Sequence, residues 1–404
     1  MRRKSCKISK SSMVSLPDDV MTEIMFRLPI KSIIMCKCTC KALRDLISSN
    51  DFVNLHYARA KPCILLANHV GYEYVSRFMY LIEPSNMNGM SCISDDYCVC
   101  YVDDPSKGVN MKLDTKLELP VYDDKIVGDN GDYVIVNACN GFLCFHRGPQ
   151  TYIVCNPFTN EYIKVPSPIN YDGWTDVSRG FGFCPKTKQY KVVRWLESMD
   201  RKIPVIAEIH TLKVHKRWRT LVDTPHTINF RSIEPPMYAN GFIFWVYRDS
   251  PRSYCVLSFD LEVERFRSLP KPPIDSRYTE IRMEMIGDRP SLCARPSQFK
   301  IDIWIIDDFG GVSEHWSKYA SIDIINKIII YESKRQKWRS FKIYQNKLEV
   351  KTTVYTPSFF SLKDAVPGAN VKSIDWFRIA WKEEVSSFQE EVQYQIFIST
   401  LWCH

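Results

Sequence analysis

The hydrophobic and polar positions follow one rhythm up to about residue 60 and another beyond it. In the first stretch Val20, Ile24 and Leu28 recur every four residues, the spacing that lines one face of an α-helix. Pro17 suits a first helical position, and Asp18 and Asp19 complement the positive end of the helix dipole. Glu23 and Arg27 stand i,i+4 on the outer side. Leu28-Pro29 ends this helix, because a residue before proline avoids the α region. A second apolar stretch, Ile30 to Cys38, leads to a third, Lys41 to Ile47, which stops at Ser48-Ser49-Asn50. The expectation is a small all-α unit of three helices over 15–60, preceded by a basic tail over 1–14.

From residue 61 the period becomes that of strands. Short runs of Val, Ile, Phe, Tyr and Trp alternate with turn residues, and no long amphipathic helix interrupts them. One hairpin pattern recurs: an apolar strand, a polar or Pro-containing turn, and a second strand with an early aromatic. It appears at Val154–Ile163, Phe183–Val192 and Leu257–Phe266, with looser copies ending at Trp218, Trp316 and Trp338. The turns are spaced alternately by about 25 and about 50 residues, so two hairpins make one larger unit of the size of a four-stranded propeller blade. Residues 61–365 would hold about six kelch-like blades of an all-β propeller. A jelly roll or a pair of sandwiches is the alternative, since the kelch double glycine occurs only at Gly310-Gly311. Residues 366–404 are less regular and read as a C-terminal extension.

Composition narrows the class. The chain has 404 residues, 45% hydrophobic and 25% charged, which excludes a disordered chain, and no run approaches the ~20 apolar residues of a membrane span, so no membrane partner is expected. The basic N-terminus lacks the apolar stretch of a secretion signal, and no Asn-x-Ser/Thr glycosylation site occurs. Both point to the cytosol or nucleus. The 15 cysteines are scattered, many within apolar strands, and read as small buried hydrophobes. Cys36 and Cys38, two apart on a helix, point to different faces and do not make a metal site. Part of the net charge of +8 comes from five Lys/Arg among the first ten residues.

Motifs for catalysis are missing: no Gly-x-Ser-x-Gly, no His-Glu-x-x-His and no phosphate-binding Gly-x-x-x-x-Gly-Lys. No catalytic residue, cofactor or metal ligand is assigned. Asp95-Asp96, Asp103-Asp104 and Asp123-Asp124 read as solvated acidic turns, although a propeller hydrolase using a channel acid stays open. His215-Lys216-Arg217-Trp218-Arg219 and Lys334–Arg339 have the composition of a nucleic-acid contact. Their aromatics occupy a packing position of the hairpin repeat, so nucleic acid is the lesser reading. The helical unit offers the clearest surface. Leu16, Pro17, Val20, Ile24, Leu28, Pro29, Ile33, Leu43, Leu46 and Ile47 are more apolar groups than a free three-helix fragment buries, which implies a protein partner.

Leu16-Pro17, Ile24 to Leu28-Pro29, Lys31-Ser32, Cys40-Lys41 and Leu46-Ile47 follow one another at the spacing of an F-box, which this segment resembles. The remainder resembles the F-box-associated domain of the large plant F-box family. The matching motifs include Cys139-Asn140-Gly141-Phe142, Asn156-Pro157-Phe158-Thr159, Gly180-Phe181-Gly182-Phe183, Asn240-Gly241 with Phe244-Trp245, and His315-Trp316. Their order and spacing are similar to those of the S-locus F-box group. Met35, Cys36 and Leu43 depart from the residues usual at their positions in the F-box, and Cys184 stands where an Asp is usual. The resemblance implies a substrate-recognition subunit of a Skp-cullin-F-box ubiquitin ligase. The ten apolar residues would dock the Skp-family adaptor, and the β domain would capture a protein substrate whose identity and binding residues the motifs do not give.

Overall fold

The computed structural model describes residues 16–61, 63–69, 75–82, 134–147 and, with short internal gaps, 151–373, together with strand segments at 98–99, 115–118, 394–395 and 401–403. The basic tail and the three Asp pairs lie outside the described residues.

Helices α1 (Asp18–Met25), α2 (Ile30–Thr39) and α3 (Lys41–Ile47) match the three apolar stretches, and a fourth follows, α4 (Asn50–Arg59). The polar run read as a stop is also a start. The Ser49 side chain accepts the Phe52 N–H at 3.3 Å, and Asp51 lies in the first turn, which together make an N-terminal cap. Because α1 ends at Met25, Arg27 has no helical place beside Glu23. Glu23 is met instead by Arg59 of α4, at 2.6 Å.

Among the described residues the β domain has six sheets of four or five strands and one two-stranded ribbon, Tyr344–Gln345 with Tyr394–Gln395. Blade 1 contains Cys63–His69, Val75–Ile82 and Thr115–Glu118. Blade 2 runs through Val134–Cys139, Phe142–Arg147, Thr151–Asn156 and Glu161–Val165, with Lys372–Ser373 added at its edge. Blade 3 is Trp174–Cys184, Gln189–Ser198, Ile206–Thr211 and Arg219–Thr220. Blade 4 is Met237–Ala239, Phe242–Ser250, Ser253–Asp260 and Arg265–Ser268. Blade 5 is Thr279–Ile286, Arg289–Ser297, Lys300–Asp307 and His315–Asp323. Blade 6 is the hairpin Lys327–Glu332 and Lys337–Lys342, flanked by Leu401–Cys403 and Cys98–Val99. The late strand Val350–Tyr355 returns to pair antiparallel with Cys63–His69, so the first sheet is completed by the far end of the chain. That pairing joins the two ends of the β domain in one sheet and closes the ring.

The three hairpins read from the sequence are present, but they occupy different places. Phe183–Val192 turns between the first two strands of blade 3, whereas Val154–Ile163 and Leu257–Phe266 turn between the last two strands of blades 2 and 4. Strand alternation is the same for both kinds of pair, so the repeat was legible while its phase within a blade was not.

Neighbouring blades are joined by side chains that explain the motifs. Gly180 and Gly182 alternate on the first strand of blade 3, where an added Cβ would lie 2.6 Å from Trp245 and 2.6 Å from Leu261 of blade 4. Glycine is needed so that the blade 4 side chains can approach the backbone. The Trp245 Nε1 then donates to the Arg179 carbonyl at 2.8 Å. Between blades 2 and 3, Asn137 donates to the Phe181 carbonyl at 2.7 Å and accepts the Phe181 N–H at 2.8 Å. Asn156 locks the closure by donating to the carbonyls of Ser358 at 3.0 Å and Phe360 at 2.8 Å, while its own oxygen accepts the Phe158 N–H.

Candidate functional site

The helical unit has two apolar faces. On α2, Ile30 and Ile33 point into the core, while Lys31, Met35 and Cys38 line the exposed side one turn apart. The structure divides the ten residues singled out as partner-binding. Leu16, Pro17, Val20 and Pro29 are exposed, Leu16 at 40% and Val20 at 43%. Ile24, Leu28 and Leu46 are half-buried, and Ile33, Leu43 and Ile47 are buried. The last three share one continuous core with Leu143, Phe145 and Ile153 of blade 2 and with Tyr355 and Phe359 near the closure. Part of the apolar area expected to be left for a partner is therefore covered by the chain's own β domain, with α4 as the intermediary.

Two exposed apolar residues escaped that set, Met35 at 58% and Leu55 at 47%. Met35 had a signal: at helical spacing it lies across the helix from the buried Ile30 and Ile33. Leu55 had none, because α4 itself was not foreseen.

The inward face is aromatic. Phe52 stacks on Phe26 at 5.3 Å, His56 meets Phe359 edge-on at 4.8 Å, and Tyr57 meets Phe360 edge-on at 5.2 Å. His56 is buried among these rings, and desolvation lowers its pKa from 6.5 to about 4, so it is neutral at physiological pH. Lys37 of α2 is shifted down by burial, opposed by the charge of Glu161 on blade 2. Glu161 accepts the Leu362 N–H at 2.6 Å and the Ser361 hydroxyl, and so holds the short helix α5 (Leu362–Ala365) to the same blade.

Beside Tyr57 of α4 lies an open pocket of about 410 Å³, bordered also by two Asn-Gly turns, Asn140-Gly141 and Asn240-Gly241. Both turns take positive φ at each residue, 49° and 77° in the first and 48° and 88° in the second, the geometry of a tight two-residue hairpin. The Tyr355 hydroxyl donates to the Gly141 carbonyl at 2.7 Å and fixes the first turn.

Other residues flagged from the sequence have structural places. Trp218 is buried and its Nε1 donates to the Pro166 carbonyl at 2.7 Å; Trp316 does the same to Pro270 at 2.7 Å. These rings tie a blade's last strand to the preceding linker. His215, Lys216 and residues 334–336 lie outside the described residues. Cys139, Cys144 and Cys155 are buried strand residues of blade 2 or its turn, and burial pushes their thiols up.

Residues 13–55 match the F-box domain family, and residues 90–358 match the F-box associated beta propeller domain family. An F-box/kelch-repeat protein of Arabidopsis thaliana is 25% identical over 314 residues, covering 76% of this chain and 79% of its own. An F-box protein of the same plant is 25% identical over 337 residues, covering 76% of this chain and 72% of its own. Among solved structures, a lectin in complex with α-methyl fucoside is similar with a TM-score of 0.32 and 10% identity, over 56% of this chain and 80% of that one. An exo-β-1,3-galactanase from Phanerochaete chrysosporium gives a TM-score of 0.31 and 9% identity, over 48% of this chain and 49% of its own. At these TM-scores the two likenesses carry no argument.

Proposed function

This chain belongs to the family of F-box proteins with an F-box associated β-propeller domain, and on that premise we propose that it is the substrate receptor of a Skp-cullin-F-box ubiquitin ligase. The family's role is substrate recognition rather than catalysis. The observation that carries the finer reading is the outward apolar face of α1 and α2. Leu16, Pro17, Val20, Pro29 and Met35 stay exposed on a unit whose inward face is already covered by the propeller. An apolar face left open in this way is a surface for a partner. The Skp-family adaptor docks there, and the propeller holds a protein substrate.

Ubiquitin transfer is then a matter of proximity. A substrate held near the charged conjugating enzyme meets it at a raised effective concentration, so this chain supplies affinity and geometry and needs no nucleophile. The shared core of α4 with blade 2 suits that task, because a rigid connection fixes the distance between adaptor and substrate. Action in the cytosol or nucleus, where such ligases work, is part of the same proposal.

The test is a pull-down of the full-length chain with a Skp adaptor, beside the double variant Leu16→Ala with Pro17→Ala. Both residues are exposed, so the variant keeps its melting temperature within a few degrees. Adaptor affinity is expected to fall by about tenfold or more. Equal capture of both proteins, or capture of neither, overturns the reading.

A further inference from the structure

The pocket beside Tyr57 of α4 is reached by more of the ring than any one blade interface could supply. Ala138 to Gly141 come from blade 2, Tyr238 to Asn240 from blade 4, Met285 from blade 5 and Val354 from the strand that closes blade 1. In a ring of six, blades 2 and 5 are not neighbours, so a space bordered by both lies on the central axis. Tyr57 of the helical unit borders it. At about 410 Å³ it falls within the ~300–1,000 Å³ span of small-molecule sites.

Its chemistry is one-sided. Tyr57, Asn140, Asn240 and Thr356 are the polar residues of the lining with a hydroxyl or carboxamide, the Tyr238 hydroxyl being given to the Phe183 carbonyl at 3.0 Å, and Ala138, Ala239, Met285 and Val354 are apolar. None of the described residues that line it is an Asp, Glu, Lys, Arg or His. Burial keeps the Cys139 thiol protonated, and it also pushes the phenols of Tyr57 and Tyr238 upward. A charged guest would meet no countercharge among these residues. An uncharged guest with hydrogen-bonding groups on one edge finds partners for them.

We propose that this axial cavity binds an uncharged small molecule that has an apolar body and a carboxamide or hydroxyl edge, seated between α4 and the propeller. The two Asn-Gly turns present the recognising carboxamides on rigid hairpins. Tyr57 makes the site a junction, so a bound molecule contacts both the helical unit and the β domain. Adaptor docking on the outward face plays no part in this argument.

Three probes of one shape and different charge test it: benzamide, benzoate and benzylammonium, titrated against the full-length chain by ligand-observed NMR. Benzamide is expected to bind saturably, with the two ions at least about tenfold weaker. The variant Asn140→Gly with Asn240→Gly keeps the positive-φ turns while removing both carboxamides, and should weaken benzamide about fivefold or more. Tyr57→Phe removes only the hydroxyl and serves if the double variant fails to fold; it should weaken benzamide by about threefold. Equal binding of the three probes, no saturable binding of benzamide, or benzamide affinity unchanged in a folded variant each overturns the proposal.

Discussion

On the inward side of the helical unit Met21, Met25, Ile33, Ile47 and Phe52 are buried in a core that continues into the propeller, while Leu16, Val20, Met35 and Leu55 stay exposed. The two sides use the same kinds of residue. Their fates differ because only the inward side faces Phe359, Tyr355 and the blade 2 strands. Apolarity along a helix thus marks a surface that must be covered, and it does not say by what. The buried side serves stability, and the open side is the one that the proposed adaptor docking would use.

Breaking the inward side should have the largest effect. Phe52→Ala removes a fully buried ring that stacks on Phe26 and lies against Phe359, and should cost about 3–5 kcal/mol in denaturant unfolding. A loss below ~1 kcal/mol would mean that the helices do not share the propeller's core.

Acid should act on the same side. The folded-state pKa of His56, about 4, lies below its ordinary 6.5, so the unfolded chain takes up the proton first as pH falls. The contribution is intact above pH 6.5 and is lost progressively between 6.5 and about 4, reaching about 3 kcal/mol at the low end. Comparison of wild type with His56→Phe across that window isolates it, because the variant cannot titrate there. Parallel profiles for the two proteins would show that His56 is not buried as a neutral ring.

The ring closure gives a smaller effect. Asn156→Ala leaves the buried carbonyls of Ser358 and Phe360 without their donor and should cost about 1–3 kcal/mol. Hydrogen exchange should then quicken in Val350–Tyr355 and in the facing strand Cys63–His69 before it does in blade 4. The outward side should respond least in stability. Val20→Ala is expected to change unfolding by no more than ~0.5 kcal/mol while weakening adaptor binding several-fold. A large stability loss without a binding defect would exchange the roles assigned to the two sides.

Much of this was legible in the chain. Val20, Ile24 and Leu28 announced α1, and Leu28-Pro29 set a boundary close to its end. The candidate set was less legible. Ile33, Leu43 and Ile47 carry the same apolar signal as Leu16 and Val20, and only the packing of α4 onto Phe359 and Phe360 separates the two groups. Ser49, which caps α4 at Phe52, stands in a polar run, and because a stop and an N-cap share the same residue types the run by itself reads as an ending.

What the sequence determined by itself is local in origin: helix against strand, the hairpin repeat and the motifs that show the family. These follow from dihedral preferences and from the two periods at which side chains share a face. Tertiary structure decided which apolar residues remain at the surface, how the ring closes and what lines its axis. Asn156 and Ser358 meet across a separation of 202 residues, and the axial cavity gathers side chains from four blades and a helix. Such contacts are chosen by the burial of surface across the whole chain, and no window of neighbouring residues contains the surfaces that compete for it.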